Sequence, residues 1–283
     1  MTAEPAAGAA FSVMGVVNVT PDSFSDGGLY LDPAAAVGHG LMLEADGAAI
    51  LDVGGESTRP GADAVPAAEE LRRVLPVIEG LVSGGASAVL SIDTSKAAVA
   101  AAALDAGATV VNDVTALRGD TEMAAVIAAA GAGCCLMHML GDPRTMQRDP
   151  RYDDVVDEVK AFLEERMAVA VAAGIDEQRI LLDPGIGFGK TVEHNLELLR
   201  RVDELVALGR PVVIGTSRKS FLGRLTGRDV DDRLAATIAT CVIAYERGAR
   251  VFRVHEVAPI NDALTVAAAT VAPWTTRPTS STG

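Results

Sequence analysis

Residues 155–215 read VVDEVKAFLEERMAVAVAAGIDEQRILLDPGIGFGKTVEHNLELLRRVDELVALGRPVVIG. Val155–Ala173 is rich in Ala, Leu, Glu and Arg with apolar residues at helical spacing. Gly174 closes it, at a position where a left-handed residue after a helix favours glycine. The aliphatic run Ile180–Asp183 is a short buried strand. Glu193–Leu208 then repeats the helical spacing, Gly209 closes it, and Pro211–Gly215 is the next strand. Two strands separated by a helix form a parallel βα unit, because parallel neighbours need a crossover of a dozen or more residues.

The alternation continues outward in both directions. Further strands are expected at Ser12–Thr20, Ala48–Gly54, Ala88–Thr94, Thr109–Val114, Cys134–Met139 and Val251–His255, with Gly47, Gly107 and Gly248 marking other helix ends. Eight βα units in one chain of 283 residues predict an α/β fold, a single-domain (β/α)8 TIM barrel, which commonly takes about 250 residues. The rival, an open doubly wound sheet, normally carries a Gly-rich phosphate loop after its first strand. Here that strand runs into Asn18-Val-Thr-Pro-Asp-Ser. The barrel is assigned to residues 12–272, between a flexible start at 1–11 and a polar tail at 273–283 expected to be disordered.

Composition narrows the function. A net charge of -14 disfavours nucleic acid and anionic membrane surfaces as partners. No apolar stretch approaches about 18 residues and no signal peptide is visible, so no membrane association and a cytoplasmic location are expected. Cys134, Cys135 and Cys241 show no metal spacing and suit buried reduced thiols. With 4% aromatics, the core must be built from Ala, Val, Leu and Ile.

Polar clusters stand where most strands end, the rim that carries chemistry in such barrels. They include Asn18, Asp52, Glu56, Asp93, Asn112, Asp113, His138, Asp183, Lys219, Ser220, Arg253 and His255. Any one could be a helix cap or a turn residue. Several half-buried carboxylates converging on one mouth are costly without a ligand. Gly189-Lys190-Thr191 resembles the end of a phosphate loop, but Pro184 stands where its first glycine is required. Asp93, Asn112 and Asp183 could bind a flat heterocycle with a guanidine-like edge, and Lys219 could meet a ring carbonyl or nitrogen. In the opposite sector, Arg253, His255 and Asn18 suit a diphosphate with Mg²⁺, and Arg59 could add to that anion site.

Taken together, the runs Asn18-Val-Thr-Pro-Asp-Ser-Phe-Ser-Asp-Gly-Gly, Gly-Glu-Ser-Thr58-Arg-Pro-Gly, Ser-Ile-Asp93-Thr, Asn112-Asp, Asp183-Pro-Gly-Ile-Gly-Phe-Gly-Lys, Ser-Arg-Lys219-Ser and Arg253-Val-His255-Glu resemble the dihydropteroate synthase family. The resemblance runs in order from about Met14 to about Val271. It implies a transferase of folate biosynthesis that joins 4-aminobenzoate to 6-hydroxymethyl-7,8-dihydropterin diphosphate, giving 7,8-dihydropteroate and diphosphate.

The resemblance also assigns roles. Asp93, Lys219, Asp26, Phe24 and Arg59 are expected to be catalytic. Thr58, Asp93, Asn112, Asp183, Phe188, Lys219, Ser220, Arg253 and His255 are expected to bind substrate. Asn18 and His255 are expected to hold Mg²⁺, and Phe24, Pro60 and Phe188 to wall the aminobenzoate pocket. A homodimer is expected as well. Two rivals are a pterin-barrel methyltransferase and a non-catalytic paralogue. The first would not need the Ser-Arg-Lys and Arg-Val-His runs, and the second would be expected to erode the first two loops. Both features are intact here.

Overall fold

The computed structural model describes residues 10–20, 32–57, 62, 64–142 and 144–271. The expectations for Phe24, Asp26, Thr58, Arg59 and Pro60, for residues 1–9 and for the tail from 272 lie outside these residues.

Eight strands form the frame: β1 (Ser12–Asn18), β2 (Ile50–Gly54), β3 (Val89–Asp93), β4 (Val110–Asp113), β5 (Gly133–Met137), β6 (Ile180–Asp183), β7 (Val213–Ile214) and β8 (Val251–Val254). Between and after them lie α1 (Pro33–Ala45), α2 (Ala67–Ser83), α3 (Ala97–Asp105), α4 (Met123–Ala130), α5 (Val155–Ala172), α6 (Val192–Arg200), α7 (Val202–Val206), α8 (Ser220–Thr226), α9 (Leu234–Glu246) and α10 (Val257–Val271). Local chemistry sets the ends. Asp154 caps α5 by accepting from Val156 and Asp157, and Thr191 and His194 form a capping box on α6. Gly47, Gly107, Gly174, Gly209 and Gly248, each read as a helix stop, all take positive φ.

The strands pair in parallel in the order β6-β5-β4-β3-β2-β1-β8-β7, and a parallel bridge between Leu182 and Val212 joins the two ends into a ring. The expected barrel is therefore the fold. Every strand but β6 is shorter than expected, β1, β5 and β7 most tellingly. β1 stops at Asn18 and β5 at Met137, where the chain leaves the ladder for loops over the mouth. β7 contracts to two residues, and ahead of it Pro211, which has no N–H to donate, only accepts from Leu182 N–H.

Alternation along each strand sorts the side chains. Val13, Val17, Leu51, Val53, Ile92, Val111, Leu136 and Phe252 face outward into the main core, which is shared with the helices. Met14, Ile50, Val110, Cys135, Leu181, Val213 and Val251 face inward and plug the ring. Two residues further along the same strands, the inward positions are Val16, Asp52, Asn112, Met137, Asp183, Gly215 and Arg253, and β3 adds Ser91, two residues past Val89. The interior thus changes from apolar to polar within one layer, and the polar layer lies toward the C-terminal mouth. All three cysteines are free and buried.

Candidate active site

The polar layer forms the floor and walls of a recess with about 480 Å³ of unfilled space, counting the part open to solvent. The recess brings together seven of the residues expected to serve it: Asp93, Asn112, Asp183, Phe188, Lys219, Arg253 and His255. Asn18, half-buried at the end of β1, and Ser220, exposed at the first position of α8, are not part of its lining.

A charged network fixes the floor. Asp52 is fully buried and accepts from Ser91 Oγ (2.6 Å), Asn112 Nδ2 (3.0 Å) and Arg253 Nε (2.7 Å). The other arm of the guanidinium donates to Asp93 Oδ2 at 2.7 Å. Sequence reasoning placed Arg253 in an anion sector opposite Asp93. The structure corrects this: Arg253 lies between Asp52 and Asp93 and joins the two sectors. Burial works against the Arg253 charge, but the two carboxylates outweigh it and hold its pKa above the ordinary arginine value. Burial raises the Asp93 carboxyl pKa, and Arg253 opposes that rise.

Three acceptor atoms in this layer have no donor among the described residues: Asp93 Oδ1, Asn112 Oδ1 and Asp183 Oδ2. Among the described residues, the buried side-chain polar atoms without a partner are Glu70 Oε1 and Thr109 Oγ1, so these three oxygens are not sealed in. They open on the recess. Its wall is therefore an array of acceptors suited to a ligand edge rich in N–H donors.

The loop after β6 forms the next wall. Gly185, Gly187 and Gly189 all have positive φ, which folds Asp183–Lys190 back on itself. Gly185 N–H donates to Asp183 Oδ1 (2.7 Å) and Gly187 N–H to Asn195 Oδ1 (2.7 Å). Gln147 Nε2 donates to Gly187 O, and Tyr152 Oη to Gly189 O. Lys190 Nζ donates to Phe188 O and lies 2.9 Å from His138 Nδ1. Burial and the neighbouring lysine hold His138 down to about 2, so it is neutral and Nδ1 accepts from Lys190. Burial pulls Lys190 itself down to about 7.

Lys219 Nζ lies 3.9 Å from the centre of the Phe188 ring. Desolvation lowers its pKa to about 7, against the pull of Asp183. This gives a testable sign. An unfolded lysine stays protonated up to about 10.4, so between pH about 7 and that value the unfolded chain binds the extra proton. Stability from this group therefore rises with pH across that window and is lost on acidification. Thermal midpoints measured from pH 7 to 10 should climb less steeply in Lys219→Met than in the native chain. An unchanged slope would remove the shift.

Across the mouth, His255 N–H donates to Ser217 Oγ (3.2 Å), and the same hydroxyl lies 3.0 Å from His255 Nδ1. The hydroxyl proton can point at Nδ1, which leaves Nε2–H as a donor. Next to it, Arg218 has a left-handed φ of 60° and pairs with Glu256. Strain of this kind gathers at functional sites. Ser91, Ser217 and Lys190 were not among the expected site residues, and Asp52 stood among the polar residues of the rim with no role assigned, although it continues the alternation Ile50-x-Asp52-x-Gly54 that marks an inward strand position.

A parallel eight-stranded ring with an acceptor-lined mouth defines the class, and comparison with known proteins gives the family. The family profile for pterin binding enzyme matches residues 14–255, and the chain belongs to that family. Within it, the relatives are dihydropteroate synthases. That of Mycobacterium leprae is 49% identical over 264 residues, covering 91% of this chain and 92% of the relative. A probable bifunctional folylpolyglutamate synthase/dihydropteroate synthase of Haloferax volcanii is 49% identical over 257 residues. Those residues are 89% of this chain, and the chain spans only 30% of that longer protein. The Xanthomonas albilineans dihydropteroate synthase has been solved with 4-aminobenzoic acid (50% identity, TM-score 0.87) and with 7,8-dihydropteroate (47%, 0.83). Each structure covers 96% of this chain, which covers 95% of that chain.

Proposed function

We propose that the chain condenses 4-aminobenzoate with 6-hydroxymethyl-7,8-dihydropterin diphosphate, releasing 7,8-dihydropteroate and diphosphate. The observation that carries this reading is the wall of open acceptors, Asp93 Oδ1, Asn112 Oδ1 and Asp183 Oδ2, which complements the donor-rich edge of a 2-amino-pyrimidinone ring. Its support from relatives is the synthase activity named for proteins about half identical over nearly the whole chain. Asp183 takes the amino edge, Lys219 a ring carbonyl or nitrogen, and Phe188 lies against the aminobenzoate.

The chemistry needs no protein nucleophile. Loss of diphosphate leaves positive charge on the pterin methylene, which Asp93 stabilises, and the arylamine attacks that carbon. His255, through Nε2–H, donates a hydrogen bond to the departing anion, and Arg253 lends its charge from below. Mg²⁺ would reduce the diphosphate charge when bound. Of the two residues expected to hold it, Asn18 offers a hard amide oxygen, whereas the His255 imidazole suits the anion better than the metal. No group of three His, Cys, Asp or Glu side chains that could hold a metal occurs among the described residues. The donor set fits an ion held mainly by diphosphate and water.

No helix of the described residues is long and apolar enough to cross a membrane, and three free buried thiols suit a cytoplasmic protein. Exposed Leu225, Val230, Leu234 and Ile243 on and around α8 and α9 are the surface on which we place a homodimer contact. Sedimentation velocity would test it, and a monomer at micromolar concentration would exclude it.

The test of function is diphosphate release from the pterin substrate, with Mg²⁺, in the presence and absence of 4-aminobenzoate. Release coupled to dihydropteroate formation is expected. Pterin binding without turnover would overturn the catalytic reading. Asp183→Asn should weaken binding of free pterin by roughly 10- to 150-fold, the cost of about 1.5–3 kcal/mol for a hydrogen bond to a charged group. Unchanged affinity by calorimetry would remove Asp183 from the ring-binding set.

A further inference from the structure

The Asp52 carboxylate lies beneath the recess and touches nothing that enters it, yet it bonds two of the groups that line it. A carboxylate accepts and does not donate. Its Oδ2 already takes Arg253 Nε at 2.7 Å, so the Asn112 atom 3.0 Å away must be the amide nitrogen. That contact decides which end of the Asn112 amide meets the recess. With Nδ2 turned down toward Asp52, Oδ1 is left open above.

We infer that Asp52 is a positioning residue for ligand specificity: it locks Asn112 with its carbonyl oxygen toward the recess, so that this position reads a ring N–H and rejects a ring acceptor. The inference rests on the pterin-binding reading of the site. Were Asn112 free to turn over, the same residue would offer an N–H donor with little change in shape, and an oxidised heterocycle with a ring acceptor in place of the N–H would compete. The lock has a second anchor, since Ser91 Oγ donates to Asp52 Oδ1 at 2.6 Å and prevents the carboxylate from rotating away. Ser91 and Asp52 are both fully buried.

The geometry separates acceptor from charge. In Asp52→Asn, the new amide can turn its nitrogen to Ser91, whose hydroxyl is able to accept, and keep its oxygen on Asn112 and Arg253. In Asp52→Ala, no acceptor remains. Binding of free pterin, which carries no phosphate, should therefore fall about 10- to 100-fold in Asp52→Ala, on the scale of a buried donor and acceptor set adrift. Asp52→Asn should return to within about threefold of the native chain. Because Asp52 acts through Asn112, adding Asn112→Ala to Asp52→Ala should cost little beyond the worse single variant.

Discrimination supplies a readout that a merely structural role would not move. The preference for 7,8-dihydropterin, which has a ring N–H at N8, over oxidised pterin, whose N8 is a ring acceptor, should shrink in Asp52→Ala and recover in Asp52→Asn. Fully additive losses, a preference unchanged in Asp52→Ala, or an Asp52→Asn variant as poor as Asp52→Ala would each overturn the inference. The native protein offers a check that needs no variant to fold. Of the two Asn112 side-chain amide protons, assigned by NMR, one should exchange slowly in the ligand-free protein. Equal fast exchange of both would overturn the lock. Failure of the proposed function itself would look different: native chain and variants alike would then show no pterin binding, while the slow amide proton would remain.

Discussion

Arg253→Ala should remove about 3–5 kcal/mol of stability at neutral pH together with most of the activity. The stability figure is the usual cost of deleting one partner of a buried ion pair. In the native protein, one guanidinium holds Asp52 and Asp93 at 2.7 Å each, and both carboxylates lie in the barrel interior. Without it, the two negative charges face one another and their remaining hydrogen-bond donors cannot neutralise them. The loss should depend on pH in a definite direction. Asp93 already titrates above its ordinary 3.8 because of burial. Loss of its counter-ion raises it further, so the folded variant takes up a proton that the unfolded chain does not yet bind. Stability is then regained as pH falls through the raised pKa. Urea unfolding at pH 8 and pH 5.5 should show a smaller deficit at the lower value. A deficit under about 1 kcal/mol, or one that grows on acidification, would refute the buried-triad account.

Gly185→Ala should do comparable damage by a different route. A Cβ at this position would lie 1.8 Å from the backbone oxygen of His138, and the residue adopts φ +66°. Backbone cannot swing aside as the tip of a side chain can, so the loop must leave its place. Asp183, which accepts from Gly185 N–H, and Phe188 would be displaced with it. Gly131 is the control: it has φ +59°, and an added Cβ meets nothing within 4 Å. Gly131→Ala should cost about 1 kcal/mol, the strain of a left-handed residue alone, and leave turnover intact. Gly185→Ala should reduce turnover by more than about 100-fold, equivalent to roughly 3 kcal/mol of lost transition-state stabilisation. Similar behaviour of the two variants in unfolding and rate measurements would show that the close approach to His138 does not matter.

Much of this fold is legible in the sequence because its units are local. Val155–Ala173, Gly174 and Ile180–Asp183 each announce themselves through spacing or conformational need, and β6 falls on the expected residues. The strand ends are less legible. Thr20 and Met139 keep strand-like composition after the ladder has stopped, since composition does not record where partners run out. Asp93, Asn112 and Asp183 were legible as polar residues closing apolar runs. Asp52 was harder to place, because the Val-Gly-Gly that follows reads as the start of a loop. Its partnership with Arg253 spans 201 residues, and no local pattern encodes it. Lys190 was seen as part of an imperfect phosphate loop and as the end of the run from Asp183, with no role of its own. Its contact with His138 exists because two adjacent βα loops fold over one another.

The ring closes through a seam unlike its other junctions. Every other pair of neighbouring strands shares at least two paired positions, whereas β6 and β7 meet at the single bridge of Leu182 and Val212. Local opening follows the weakest cooperative unit, so amide exchange in the barrel wall should be fastest along this seam. Asp183, next to Leu182, and Gly215, three residues past Val212, both line the recess. The cavity therefore has one compliant wall set against stiff ones. A bulky three-ring product could depart by a brief parting of this seam while the plug of Met14, Ile50 and Val251 stays shut beneath it.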